Sequence, residues 1–190
     1  EGSVFRILLG VVIYIFSIVF ADKFIVNEVT SIVHGISLLL AVFIPCVIKK
    51  KYLKVGNYSF KSILFVLISF CLYKLIQVVF FLDPLPQNLT GTTYIYYFIA
   101  LGVVAIAEEL FFRGTLFDEL KLRFNQYTAS VVSVLAFTLI HFSNSFEALV
   151  FNFISGVIFV SLRIKYKGVL VPVLAHLAGN WTVFIYLNSI

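Results

Sequence analysis

The sequence predicts an all-α, polytopic transmembrane bundle of about seven spans with its N-terminus on the cytoplasmic side. Three observations carry that expectation. Mean hydropathy is +1.08. Hydrophobic residues make up 62% of the 190 and charged residues only 12%, about half of what a soluble domain uses to cover its surface. The apolar residues also fall in successive runs near the roughly 20 residues that cross hydrocarbon. With the surface given to lipid, the net charge of +5 is no sign of nucleic acid, and no nucleic-acid partner is expected. Its basic residues belong at membrane edges, where they orient the chain.

Seven spans are read in order, over residues 4–21, 31–48, 62–82, 94–112, 128–142, 146–162 and 168–188. The fifth is short. After the second come Lys49, Lys50, Lys51, Lys54 and Lys61, the densest positive cluster and the best cytoplasmic loop. Lys121 and Arg123 after the fourth, and Arg163, Lys165 and Lys167 after the sixth, fall on the same side by alternation. Residues 83–93 hold Pro84, Pro86 and Gly91 without Lys or Arg, so they fall opposite. Residues 114–126 differ in character. Leu116, Phe117, Leu120 and Phe124 interleave there with Asp118, Glu119, Lys121 and Arg123 at helical spacing, as expected of an amphipathic helix at the interface or an extension of the fourth span.

One membrane domain, residues 1–190, is the expected organisation, with a motif-bearing core over 101–181. Cys46 and Cys71 lie in apolar runs and read as small hydrophobes. The opening Glu1-Gly2-Ser3, in a chain without Met, reads as a trimmed end. Short loops and many Lys, Ile and Phe suggest a bacterial cell membrane.

An ionisable group inside a span costs about 2.5–3.5 kcal/mol on insertion scales, so such groups mark function. They concentrate in three places: Glu108-Glu109-Leu110-Phe111-Phe112-Arg113, Phe137-Thr138-Leu139-Ile140-His141 and His176-Leu177-Ala178-Gly179-Asn180. Glu109 and Arg113 are four apart and can pair across one helical turn, while Glu108 is rotated about 100° away. Glu108 must then keep its proton or find histidines, and His141 and His176 are the obvious partners. His176 and Asn180 share a helix face. Singly placed groups have simpler uses: Lys74 should snorkel or pair, Gln77 and Asn152 should bond between helices, and His34 is structural. The aromatics, 17% of the chain, read as lipid-facing and interfacial.

One carboxylate, two imidazoles and an amide can hydrolyse a peptide. The carboxylate with an imidazole deprotonates water, and the amide or second imidazole donates to the oxyanion. Glu108, His141 and His176 could instead hold zinc with an open position for water; Asn180, a poor zinc ligand, favours the version without a cofactor. The chain lacks H-E-x-x-H, G-x-S-x-G and a pair of aspartates in its spans. A proton-coupled carrier and a non-catalytic immunity or scaffold protein are the other readings.

The three clusters resemble those of the CPBP (Abi) family, which includes type II CAAX prenyl endopeptidases and bacterial proteins linked to bacteriocin processing and self-immunity. E-E-x-x-x-R, F-x-x-x-H and H-x-x-x-N appear in family order at Glu108 to Arg113, Phe137 to His141 and His176 to Asn180. The resemblance implies an intramembrane endopeptidase in which Glu108 and His141 activate water and His176 with Asn180 forms an oxyanion hole. Glu109, Arg113 and Phe137 would support the site. A small bacterial peptide of bacteriocin or pheromone type is the expected substrate. One conflict follows from the spans as drawn: at 1.5 Å per residue, Glu108 and His176 sit nearer the cytoplasm and His141 nearer the far face. Either the fourth helix runs on through the amphipathic stretch or the fifth starts well inside the headgroups.

Overall fold

Hydrocarbon offers no hydrogen bonds, so an apolar chain crosses it with its backbone satisfied internally, as helices. The computed structural model describes residues 55–81, 91–141 and 145–189. They form α1 (Phe60–Phe81), α2 (Gly91–Glu109), a π segment (Leu110–Leu116), α3 (Phe117–Arg123), α4 (Gln126–Ile140), α5 (Phe146–Tyr166) and α6 (Leu170–Leu187). Among the described residues there is no strand. The first two expected spans, Lys49 to Lys51 and Lys54, lie outside the described residues, as do Cys46 and His34.

Four described helices are long and apolar enough to cross a membrane: Phe60–Phe80, Gly91–Arg123, Phe146–Tyr166 and Leu170–Leu187. Helix α4, with 15 residues, is about 22 Å long, short of the roughly 30 Å hydrocarbon core. The fourth span does not end at Phe112. It continues through the π segment into α3 as one helix of 33 residues, because Leu116 and Phe117 of the amphipathic stretch, 6% and 1% exposed, pack inside the protein, while Phe124 stays exposed. Lys61 likewise stands in the first turn of α1 and not in a loop. The sixth span runs past Leu162 to Tyr166, and Lys167, at φ 55°, ends it in a left-handed residue.

The turn between α3 and α4 resolves the conflict of depth. Asn125 caps α4, its Oδ1 accepting from the Thr128 amide at 2.8 Å. Glu108 lies 15 residues before Arg123 and His141 lies 15 after Gln126, about 22 Å along each arm of this hairpin. The two side chains therefore come level. Running the fourth helix on through the amphipathic stretch was the correct alternative.

Helix α6 packs against α1, α2 and α5, and α4 packs against α5 and α3. Close approach depends on small residues, as is usual between membrane helices. A Cβ on Gly179 would overlap the Phe70 ring of α1, and one on Gly102 would come 3.2 Å from Trp181. Trp181 in turn stacks on Phe98 at 4.7 Å and donates its indole N–H to the Phe98 carbonyl. The residues before α1 are fastened to the turn between α5 and α6. Asn57 donates to the Tyr166 carbonyl at 2.8 Å, and Gly56 meets Gly168 so closely that neither has space for a Cβ.

Replacing Gly179 with Ala should force α1 and α6 apart and destabilise the protein by about 1–3 kcal/mol. Unfolding in detergent, compared with Ala178→Gly as a control on the same helix, measures the loss.

Candidate active site

The site begins with a helix that is locally too wide. From Leu110 to Leu116 the backbone bonds in the π pattern, and two of its carbonyls also take partners outside the helix. Two partners come from neighbouring helices. Ser133 Oγ of α4 donates to the Phe112 carbonyl at 2.9 Å, and Arg163 Nε of α5 donates to the Arg113 carbonyl at 2.8 Å. Arg163 also donates from Nη2 to Asp118 Oδ1 at 2.7 Å and is 7% exposed. It is therefore a buried brace and not the cytoplasmic loop charge expected from its place after an apolar run.

Glu108, Glu109 and Arg113 face the interior around this segment. Glu109 and Arg113 have no exposed side-chain surface, and Arg113 Nη1 donates to Glu109 Oε1 at 3.2 Å, so the expected i,i+4 pair forms. Arg113 Nη2 donates to the Gly156 carbonyl at 3.2 Å. Three rings surround the guanidinium, with centroids at 4.4 Å (Phe137), 5.2 Å (Phe159) and 5.8 Å (Phe112). Ring faces attract a desolvated cation. Not all aromatics are lipid-facing, then; these three are at most 2% exposed.

Both histidines reach the glutamates, though not as expected. His176 Nδ1 lies 3.0 Å from Glu109 Oε1, its shorter contact, and its Nε2 lies 3.8 Å from Glu108 Oε2. Glu109 is thus more than a partner of Arg113: its Oε1 joins arginine and histidine. His141 Nδ1 lies 2.8 Å from the Phe137 carbonyl, and its Nε2 lies 3.6 Å from Glu108 Oε2. A carbonyl only accepts, so His141 carries its proton on Nδ1, and neutral His141 turns the Nε2 lone pair toward Glu108. Phe159 stacks on His176 at 4.7 Å and Phe137 packs on His141 at 4.5 Å. The rings that cage Arg113 thereby also fix the imidazoles.

Glu108 Oε2 has no hydrogen-bond partner among the described residues. The two imidazole nitrogens flank it at distances too long for direct bonds and suited to a bridging water. Of the three residues only His141 is substantially open, at 29%, against 3% for Glu108 and 7% for His176. Asn180, one turn beyond His176 on α6, is half-buried and makes no hydrogen bond among the described residues. Among the described residues no group of three or more His, Cys, Asp or Glu is placed to hold a metal ion.

Residues 90–182 match the family model described as type II CAAX prenyl endopeptidase Rce1-like. The chain belongs to this family, the type II CAAX endopeptidases of the CPBP group. The match spans α2 to most of α6 and includes Glu108, Glu109, Arg113, Phe137, His141, His176 and Asn180. At family level this CAAX endopeptidase relative is a protease, and its four long apolar helices make it an integral membrane protein. No curated protein and no solved structure matches it. Sequence reasoning missed Arg163, Ser133 and the ring cage, because an arginine at a span end resembles a topological charge and Phe in a span resembles a lipid contact.

Arg113→Met should leave Glu109 buried without its counter-charge and cost about 3–5 kcal/mol. Adding Glu109→Gln should recover about half of that loss or more. Unfolding of the two single variants and the double variant gives the coupling, and purely additive losses contradict the pair.

Proposed function

We propose that the protein is a glutamate-type intramembrane endopeptidase, and the observation that carries the reading is Glu108 Oε2 flanked at 3.6 and 3.8 Å by two imidazole nitrogens. A water bridging Glu108 and His141 Nε2 gives up a proton to the carboxylate as its oxygen adds to the substrate carbonyl carbon. The oxyanion then accepts from Asn180 and from His176. His176 donates from Nε2 when both ring nitrogens carry protons, with the Glu109 carboxylate on Nδ1 as counter-charge and orienting group. Collapse of the tetrahedral intermediate breaks the C–N bond, and Glu108 returns the proton to the leaving amine. The products are a carboxylate-ended and an amine-ended peptide.

Glu109 and Arg113 keep this constellation in place, and Phe137 fixes His141 through its carbonyl and both functional halves through its ring. The catalytic core is residues 101–181 within a single membrane domain. We place it in a bundle of seven spans with a cytoplasmic N-terminus, in a bacterial cell membrane. Its substrate is a small peptide of bacteriocin or pheromone type, processed for release or for self-immunity.

Purified protein in detergent should cut candidate peptides, with products read by mass spectrometry. Glu108→Gln and His141→Ala should each lower kcat by about 100- to 10,000-fold while unfolding like the parent. Peptide binding that survives with no cutting by the parent would favour a scaffold, and pH-driven flux in liposomes would favour a carrier.

A further inference from the structure

Three helix ends meet around one cleft of about 590 Å³, within the roughly 300–1,000 Å³ of small-molecule sites. Lys121 comes from the last turn of α3, Gln126 from the start of α4 and Lys167 from the left-handed residue that ends α5. Arg163 and Asp118 complete its polar lining among the described residues, so three cations stand there against one carboxylate. The cleft shares no lining residue with the glutamate site.

Two of the cations are gathered by one buried ring. Phe117 is 1% exposed, with Lys121 Nζ 6.0 Å and the Arg163 guanidinium 5.4 Å from its centroid. Lys121 Nζ also donates to Gln126 Oε1 at 3.1 Å, across the turn between α3 and α4. That bond takes one of the three donors of an ammonium. Arg163 gives one N–H to the Arg113 carbonyl and one to Asp118, of the five a guanidinium carries. Lys121 and Lys167 are both exposed at the cleft. Gathered donors with an excess of positive charge complement a phosphate, whose ionised oxygens accept.

What borders the cleft identifies the source of that phosphate. Leu122, Phe124 and Tyr127, on and beside the turn, are 65%, 63% and 79% exposed, and Leu122 and Ile164 also line the cleft. Large apolar side chains interleaved with Lys and Arg at the ends of spanning helices mark the membrane boundary, where headgroups lie over acyl chains. A free anion would meet the cations and leave these apolar residues in water. We propose that the cleft seats the phosphate headgroup of an anionic phospholipid, with Lys121, Lys167 and Arg163 on the phosphate and Leu122 and Ile164 against the start of the acyl chains. The positive-inside rule puts Lys121, Arg123, Lys165 and Lys167 at the cytoplasmic leaflet, whose anionic lipids supply this ligand. The bound lipid ties the ends of α3, α4 and α5 together at Arg163, the brace of the π segment. It requires no catalysis at the glutamates.

Protein in nonionic detergent, titrated with dioctanoyl phosphatidylglycerol, dioctanoyl phosphatidylcholine or inorganic phosphate, tests the site, with binding read by native mass spectrometry and by the rise in unfolding temperature. Phosphatidylglycerol should bind about tenfold or more tightly than phosphatidylcholine, which sets a choline cation on the same phosphate. Lys121→Gln and Lys167→Asn, the latter suited to the left-handed backbone, should each weaken phosphatidylglycerol binding about fivefold and together about 25-fold, while unfolding like the parent without lipid. Lys165→Gln removes the same charge from the same end, outside the cleft, and should bind as the parent does. Equal affinity for the two lipids, or a loss in Lys165→Gln equal to that in the cleft variants, overturns the proposal. Displacement of phosphatidylglycerol by inorganic phosphate at equal concentration makes this a site for free phosphate and overturns the lipid assignment.

Discussion

The structure depends on keeping one arginine charge out of water. Arg113 has no exposed side-chain surface and sits among three phenylalanine rings, with Glu109 as its counter-ion. A bare guanidinium at that depth would cost several kcal/mol, so its surroundings are strongly determined. Glu109 must face inward, α5 must bring the Gly156 carbonyl close, and Phe137 and Phe159 must turn their rings to the cation. Each of these demands also fixes part of the site. Glu109 holds His176, Phe137 holds His141, and Phe159 stacks on His176.

The π segment lets one helix meet these demands. Two carbonyls of the widened segment face α4 and α5. The wide turn gives Phe112 O to Ser133 and Arg113 O to Arg163, tying three helices together beside the glutamates. Widened turns recur at functional sites. The same helix then continues to a capped turn that returns α4 at matching depth, bringing Glu108 and His141 together.

Much of the site was legible in the sequence because its chemistry follows helical spacing. The four-residue separation of Glu109 and Arg113 specified their pairing, and His141 and His176 were the only described imidazoles able to meet Glu108. The division of labour between the glutamates was less legible. Spacing leaves Glu108 apart from Arg113, but it does not reveal that Glu109 Oε1 would serve a histidine as well. Span ends were the weakest reading, because a charge such as Arg163 looks like a loop residue until its pairing with Asp118 across helices is seen. No composition signal marks Leu110 to Leu116 as π.

The central claim is that Glu109 holds His176 by Nδ1, leaving its Nε2 toward Glu108. Nitrogen NMR of imidazole-labelled protein tests it most directly, since the chain has only 3 histidines and single substitutions assign them. The account predicts a hydrogen-bonded Nδ1 proton on His176 that shifts strongly in Glu109→Gln, and Nε2 signals of both His141 and His176 that respond to Glu108→Gln. A His176 protonated only on Nε2, with signals indifferent to Glu109, would contradict it.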